Sequence, residues 1–161
     1  MAITAQQVKE LREKTGAGMM DCKKALTESN GDIQGAVDYL RKKGAKVAEL
    51  RSGRDANEGA VIAQTSKDGK TGVIVHLASE TDFVAKNEEF IQFAKDLANV
   101  ALENNVSSKE ELENATFDGV SVKEKLAEKI GAIGENISIS NFAKTEGENV
   151  TSYIHAGNKI G

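Results

Sequence analysis

The feature that most constrains this chain is one it lacks: none of its 161 residues is proline. Average usage of about 5 % would place roughly eight prolines in a chain of this length. Polyproline linkers and proline-punctuated all-β repeats are therefore excluded, and helices can run until glycine, asparagine or a polar cluster stops them. The length suits a small domain joined to a medium one. With five Phe, two Tyr and no Trp, the core has to be largely aliphatic.

Apolar spacing predicts three short helices at the start. Thr4 caps the first, over about residues 5–15, with Val8 and Leu11 three apart and Gly16 and Gly18 at the exit. Asp21 is expected to cap a second, with Cys22, Ala25 and Leu26 inward. Asn30-Gly31 turns the chain, and Asp32 caps a third that carries Ile33, Ala36, Val37 and Leu40 at helical spacing. Charge changes sign beyond this region: residues 1–54 carry 11 Lys and Arg against 7 Asp and Glu, whereas residues 55–161 carry 10 against 18. The expected organisation is a three-helix domain over 1–45, a basic connector over 46–57 and a core domain over 58–161. Three short helices bury little surface, so the first unit should be weakly stable.

Past the connector the apolar period falls to two. Ala60–Ala63 and Gly72–Leu77 flank Ser66-Lys67-Asp68-Gly69-Lys70, which reads as a β-hairpin with an Asp-Gly turn. Thr81 and Asp82 offer caps to one long helix with Phe83 or Val84 at its mouth and Phe90, Ala94, Leu97, Ala98 and Ala101 along one side, ending near Asn104-Asn105. A polar stretch, 107–119, precedes a further helix over 122–130, and the segments at 137–140 and 150–154 return to strand chemistry. The fold class is α+β, with a small antiparallel sheet packed against helices.

No constellation for covalent chemistry stands out. The single cysteine, Cys22, cannot form an internal disulfide and reads as core packing. His76 and His155 lack neighbours at metal-ligand spacing and read as structural or surface residues. The glycines form neither a P-loop nor a dinucleotide fingerprint. Paired acids such as Glu88-Glu89 and Glu110-Glu111 read as solvated faces. The basic residues Arg41, Lys42, Lys43, Lys46, Arg51 and Arg54 lack interleaved aromatics in an acidic chain and read as a solvated connector, able to touch an acidic partner, rather than as a nucleic-acid site. No catalytic residue, metal site or cofactor is expected. With no apolar signal core or membrane span in the sequence, the expected location is the cytoplasm. These features describe a binding protein without saying what it binds.

Three strings narrow that choice: VKELREKTGAGMMDCKKAL at 8–26, TDFVAKNEEF at 81–90 and IGENI at 133–137. In order and spacing they resemble the bacterial translation elongation factor Ts family, across the chain from Ile3 to Gly161. The resemblance implies an N-terminal three-helix domain of the ubiquitin-associated type followed by an α+β core. It also implies a guanine nucleotide exchange factor for elongation factor Tu in protein synthesis. Such a factor binds the GDP form, promotes GDP release and stabilises the empty state until GTP binds, and the partner alone holds nucleotide.

Partner-binding positions implied in the same way are Thr81, Asp82, Phe83 and Val84, with the Phe83 ring as a wedge, and Ile133 and Gly134, where a small residue allows close backbone approach. In the helical domain they are Leu11, Arg12, Thr15, Gly16, Ala17, Gly18, Met19 and Met20. Without the resemblance, Phe83 reads as packing under its own helix and Asp82 as a plain N-cap, while Val8 and Leu11 fit either the core or a docking face. Family chains continue beyond a string like YIHAGNKIG, so this chain is expected to be C-terminally truncated. A homodimer is left open. The competing classes are a helical binding module without exchange activity and an RNA-binding protein using residues 41–54.

Overall fold

The computed structural model describes residues 3–161; the first two residues of the expected 1–45 domain lie outside the described residues. The described elements run α1 (Ala5–Thr15), α2 (Met19–Glu28), α3 (Ile33–Arg51), β1 (Glu58–Thr65), β2 (Thr71–Ser79), α4 (Asp82–Ala85), α5 (Glu88–Glu103), α6 (Lys109–Asn114), β3 (Thr116–Phe117), β4 (Val120–Ser121), α7 (Val122–Ile133) and β5 (Ser138–Glu146). They fall into two compact units. One, helical, runs to Gly53 and takes in Glu124–Glu135; the other, built on a sheet, comprises Arg54–Lys123 and Asn136–Gly161.

In the helical unit, α1 opens with a reciprocal capping box. Thr4 Oγ1 accepts the Gln7 N–H at 3.2 Å, and Gln7 Oε1 accepts the Thr4 N–H at 3.0 Å. Gly16, at φ +68°, closes the helix in the left-handed conformation that glycine tolerates. The second helix starts before the expected cap: Gly18 is the N-cap and Asp21 lies within the first turn. There its carboxylate suits the positive helix end and pairs with Lys43 Nζ at 2.5 Å. Asp32 caps α3 as its sequence position suggests, accepting the Gln34 and Gly35 N–H groups. That helix continues to Arg51 rather than ending near residue 45. Ala, Lys, Glu, Leu and Arg after Gly44 are good helix formers, and no proline stops them. The unit's core is small-residued: Leu11, Cys22, Ala25, Leu26 and Ala36 are fully buried, with Ala17 and Val37 beside them and Ile3, Val8, Ile33, Tyr39 and Leu40 packed around.

The sheet of the second unit has the order β1-β2-β5, antiparallel throughout. The hairpin forms as its alternation predicts, with Thr65 opposite Gly72 and Asp68 Oδ1 accepting the Lys70 N–H at 3.1 Å inside the turn. Ala60, Ile62, Val73, Val75, Leu77 and Ile139 are buried together with Phe90, Phe93, Ala94, Leu97, Ala98 and Ala101 of α5, which packs on β1 and β2.

Two expectations fail here for local reasons. The polar stretch 107–119 contains α6, capped by Ser108 and anchored by buried Leu112, and then a two-residue hairpin. Asp118 and Gly119 turn that hairpin with φ of +51° and +81°. Residues 150–154 form no strand. The Val150 N–H donates to Gly69 O, and beyond it Ala156, Gly157 and Asn158 take φ of +52°, +61° and +67°, curling the chain so that His155 and Ile160 bridge. The main sheet therefore has three strands. The expected α+β architecture stands: three N-terminal helices, then a small antiparallel sheet covered by helices. Among the described residues no helix is long and apolar enough to cross a membrane.

Candidate protein-binding site

β2 ends at Ser79, fully buried, whose hydroxyl donates to Thr81 O at 3.0 Å as the chain turns out of the sheet. Thr81 then caps α4 by accepting the Val84 N–H, and buried Ala85 fastens the single turn from below. The expected continuous helix does not form: Asn87 interrupts it and caps α5, its Oδ1 accepting the Glu89 and Phe90 N–H groups at 2.9 and 3.2 Å. This second cap separates the aromatics. Phe90 and Phe93 are 2 % and 4 % exposed, whereas Phe83 on the capped turn is 83 % exposed. Burying a phenylalanine side chain is worth about 1.5–3 kcal/mol, a gain this ring forgoes within the unit. Phe83 does not pack under its own helix.

Asp82 is the first residue of α4, not its cap. Its carboxylate accepts from Lys86 Nζ at 2.6 Å, one turn on. That hydrogen bond, then the ammonium charge, holds the Asp82 carboxyl below its usual range, and the same bond raises Lys86. Lys159 lies 3.6 Å from Glu58 and adds to the field at Asp82 as Glu58 does at Lys86, so four alternating charges frame the exposed ring's helix. Sequence reasoning missed Asn87 and this frame. Asn87 was detectable as an N-cap before Glu-Glu and an apolar residue; the Glu58–Lys159 pair spans too many residues to be seen from spacing.

In the helical unit, Met19 and Met20 are 61 % and 73 % exposed. With Ile3 and Val8 they line an open groove edged by Lys9, Arg12 and Lys23. Gly16 and Gly18 are exposed at its turn. Leu11, expected among the docking positions, is fully buried in the helical core, so its side chain presents no surface here. Ala17 is also buried, under the turn, where its carbonyl accepts the Cys22 thiol at 3.6 Å. Thr15 is half-buried; its hydroxyl donates to Leu11 O at 2.7 Å and accepts the Ala17 N–H, bracing the turn. Ile133 ends α7, 39 % exposed, followed by Gly134 at φ +82° with none of the chain's atoms within 4 Å of where a β-carbon would sit. Positive φ, rather than crowding within the chain, requires glycine there.

The expected contacts are thus divided: Thr81–Val84 lie together in the sheet unit, whereas Arg12, Thr15–Met20 and Ile133–Gly134 belong to the helical unit. Burial pushes the Cys22 thiol up and leaves it inert. His76 Nδ1 meets Ser140 Oγ at 2.6 Å between β2 and β5. Among the described residues no group of His, Cys, Asp and Glu is arranged to hold a metal ion. What the geometry offers is surface: a rigidly presented ring in one unit and a methionine-floored, basic-edged groove in the other.

A family described as elongation factor TS matches residues 80–161, the range that holds the α4 turn and Ile133–Gly134. Over 158 residues the chain is 57 % identical to the elongation factor Ts of Christiangramia forsetii, covering 98 % of this chain and 57 % of that protein. It is 51 % identical over 159 residues to that of Rhodopirellula baltica, covering 99 % and 48 %. It is 52 % identical over 162 residues to one from Clostridium botulinum, covering 99 % and 54 %. The chain spans about half the length of the curated relatives it matches. From the α4 turn to the last glycine, and by whole-chain likeness through the three helices before it, this chain belongs to the elongation factor TS family.

Proposed function

We propose that this chain is a guanine nucleotide exchange factor for elongation factor Tu, acting in translation elongation in the cytoplasm without covalent chemistry of its own. It binds the GDP-bound partner, speeds GDP loss and holds the empty state until GTP enters. By linkage, a protein that prefers the nucleotide-free partner must weaken nucleotide binding to it by the same factor. The observation that carries this reading is the 83 % exposed Phe83 on a one-turn helix fixed by Thr81, Ala85 and Asn87. A stiff aromatic presented this way suits insertion into an apolar slot of a partner, with Asp82 and Val84 flanking it. The helical unit acts as a docking domain through the Met19–Met20 groove, whose flexible thioethers adapt to an apolar surface while Lys9, Arg12 and Lys23 match acidic surroundings. Ile133 and Gly134 supply a further contact.

Release of a fluorescent GDP analogue from elongation factor Tu tests the proposal. The chain should accelerate release in a saturable manner and hydrolyse no GTP. Unchanged release at saturating chain would reject exchange for these residues, and steeply salt-dependent RNA binding in its place would favour the basic segment as the functional surface.

A further inference from the structure

Within the helical unit α3 meets the Glu124–Ile133 part of α7 at backbone distance. A β-carbon added to Gly131 would lie 2.6 Å from Gly44 Cα and 3.4 Å from Gly44 N; one added to Gly44 would lie 2.7 Å from Ala127 O and 3.3 Å from Ala127 C. The obstructing atoms are main chain in both cases, so neither clash can be relieved by a side-chain rotation. Elsewhere in α3 the situation differs: at Gly35 the nearest atom is the carboxylate of Asp32. A glycine inside a helix is less favourable than alanine, and Gly44 and Gly131 each incur that cost where the helices touch. One turn before each glycine, Arg41 Nε meets Glu128 Oε1 at 2.5 Å and pins the same crossing. Thr15 and Ala17 of the α1–α2 turn line a cavity of about 20 Å³ with Gly44, Gly131 and Ala132, a space for a water rather than a ligand. The crossing therefore sits between the turn that carries Met19–Met20 and the helix end that carries Ile133–Gly134.

We propose that the Gly44–Gly131 crossing is a positioning device that fixes Ile133–Gly134 relative to the Gly16–Met20 turn, so that the two contacts engage elongation factor Tu as one preset surface. The inference rests on the exchange-factor reading and deepens it. Gly44 and Gly131 touch no partner; they act through the spacing they impose. Surfaces preset in this way bind without reordering, and displacement of one contact by about an ångström removes much of its benefit.

A double-mutant cycle with the full chain tests this, reading the affinity for nucleotide-free elongation factor Tu, with circular dichroism melts confirming that each variant is folded. Gly131→Ala should weaken binding by about tenfold, and Arg41→Gln, which loosens the crossing without a clash, by about threefold. In an Ile133→Ala background both losses should shrink toward none, because the contact being positioned is already gone. A purely structural role predicts the same fold-loss in both backgrounds, and that additivity overturns the inference. Unaltered binding by both crossing variants also overturns it. If Ile133→Ala and Met20→Ala each leave affinity and GDP release untouched, the docking reading itself fails and takes this inference with it. Clear losses from those two single variants, with additive crossing variants, reject the crossing alone.

Discussion

The two units of this chain solve the same burial problem with different material. The helical unit fills its core with Ala17, Cys22, Ala25, Ala36 and Val37 around two leucines, and leaves Met19 and Met20 outside. The sheet unit buries Phe90, Phe93, Leu97, Leu77, Val75 and Ile139 across elements far apart in sequence, and leaves the Phe83 ring exposed on its one-turn helix. Small cores give up transfer energy and gain little by rigidity, so local opening should be easier in the helical unit. What each unit leaves exposed follows from this. The helical unit presents flexible thioethers that can adapt on a backbone held in place; the sheet unit presents a stiff ring whose value depends on not moving.

The sharpest way to break that contrast is to remove one aromatic or leucine at a time. Phe83→Ala should lower the stimulation of GDP release by about 30-fold or more, as loss of an interface anchor worth about 2 kcal/mol or above, while leaving the melting temperature nearly unchanged. Leu97→Ala should do the reverse, costing about 2–5 kcal/mol of stability through lost transfer energy and a cavity. A Phe83→Ala chain that melts several degrees lower with exchange intact would show that the ring stabilises the fold and is no wedge.

Leu26→Ala sharpens the comparison from the other side. The same truncation in the smaller core should abolish amide-exchange protection in α1 and α2 while leaving α5 protected. Uniform loss in both units would mean that they unfold as one. Limited trypsin digestion of the unaltered chain should cut first at Arg51 or Arg54, next to the non-helical Ser52–Asn57, and late in α5. Equal protection of those two regions counts against separable units. Asn87→Ala should cost about 1 kcal/mol by denaturant titration, since it removes the side chain that accepts two N–H groups at the start of α5.

The smallest effect concerns pH. The Asp82 carboxyl is held below its ordinary 3.8 by the Lys86 hydrogen bond and charge. Its contribution to stability is therefore present above about pH 3.8 and lost as pH falls through the lower folded value. Both side chains are largely in solvent, so the contribution is slight. Asp82→Asn should flatten the acid limb of a stability-versus-pH curve and leave neutral pH little changed; an unchanged acid limb would show that the pair adds nothing.

Much of this was legible in the residues. The Thr4 cap, the Asp32 cap, the hairpin around Asp68-Gly69 and the apolar side of α5 are local signals, and each formed where its spacing placed it. The misreadings share a cause: a signal was present but a neighbour outweighed it. Thr81 and Asn87 are both caps, and reading only the first merged two helices into one. Val150–Ile154 has strand residues, yet the left-handed run at Ala156–Asn158 curls the chain away from the sheet. Leu11 lies in a string that resembles a docking region, but its helical phase turns it inward. The Gly44–Gly131 approach joins residues 87 apart and carries no mark in either local sequence.

That long-range approach has a consequence for how the protein is made. The helical unit is discontinuous: its first portion ends at Gly53, and its last, Glu124–Glu135, is translated only after the hairpin and α5 have been synthesised. A chain emerging from the ribosome can assemble α1, α2 and α3 on their own small core early, but Gly44 has no Gly131 to meet until much later. During that interval the buried side of α3 at Gly44 is open, and the first domain to appear waits for its last helix until the hairpin and α5 of the other unit have been made. Premature termination before Glu124 would leave three helices with one flank uncovered, and substitutions at Gly131 would act on a late step of the helical unit's assembly rather than on its beginning.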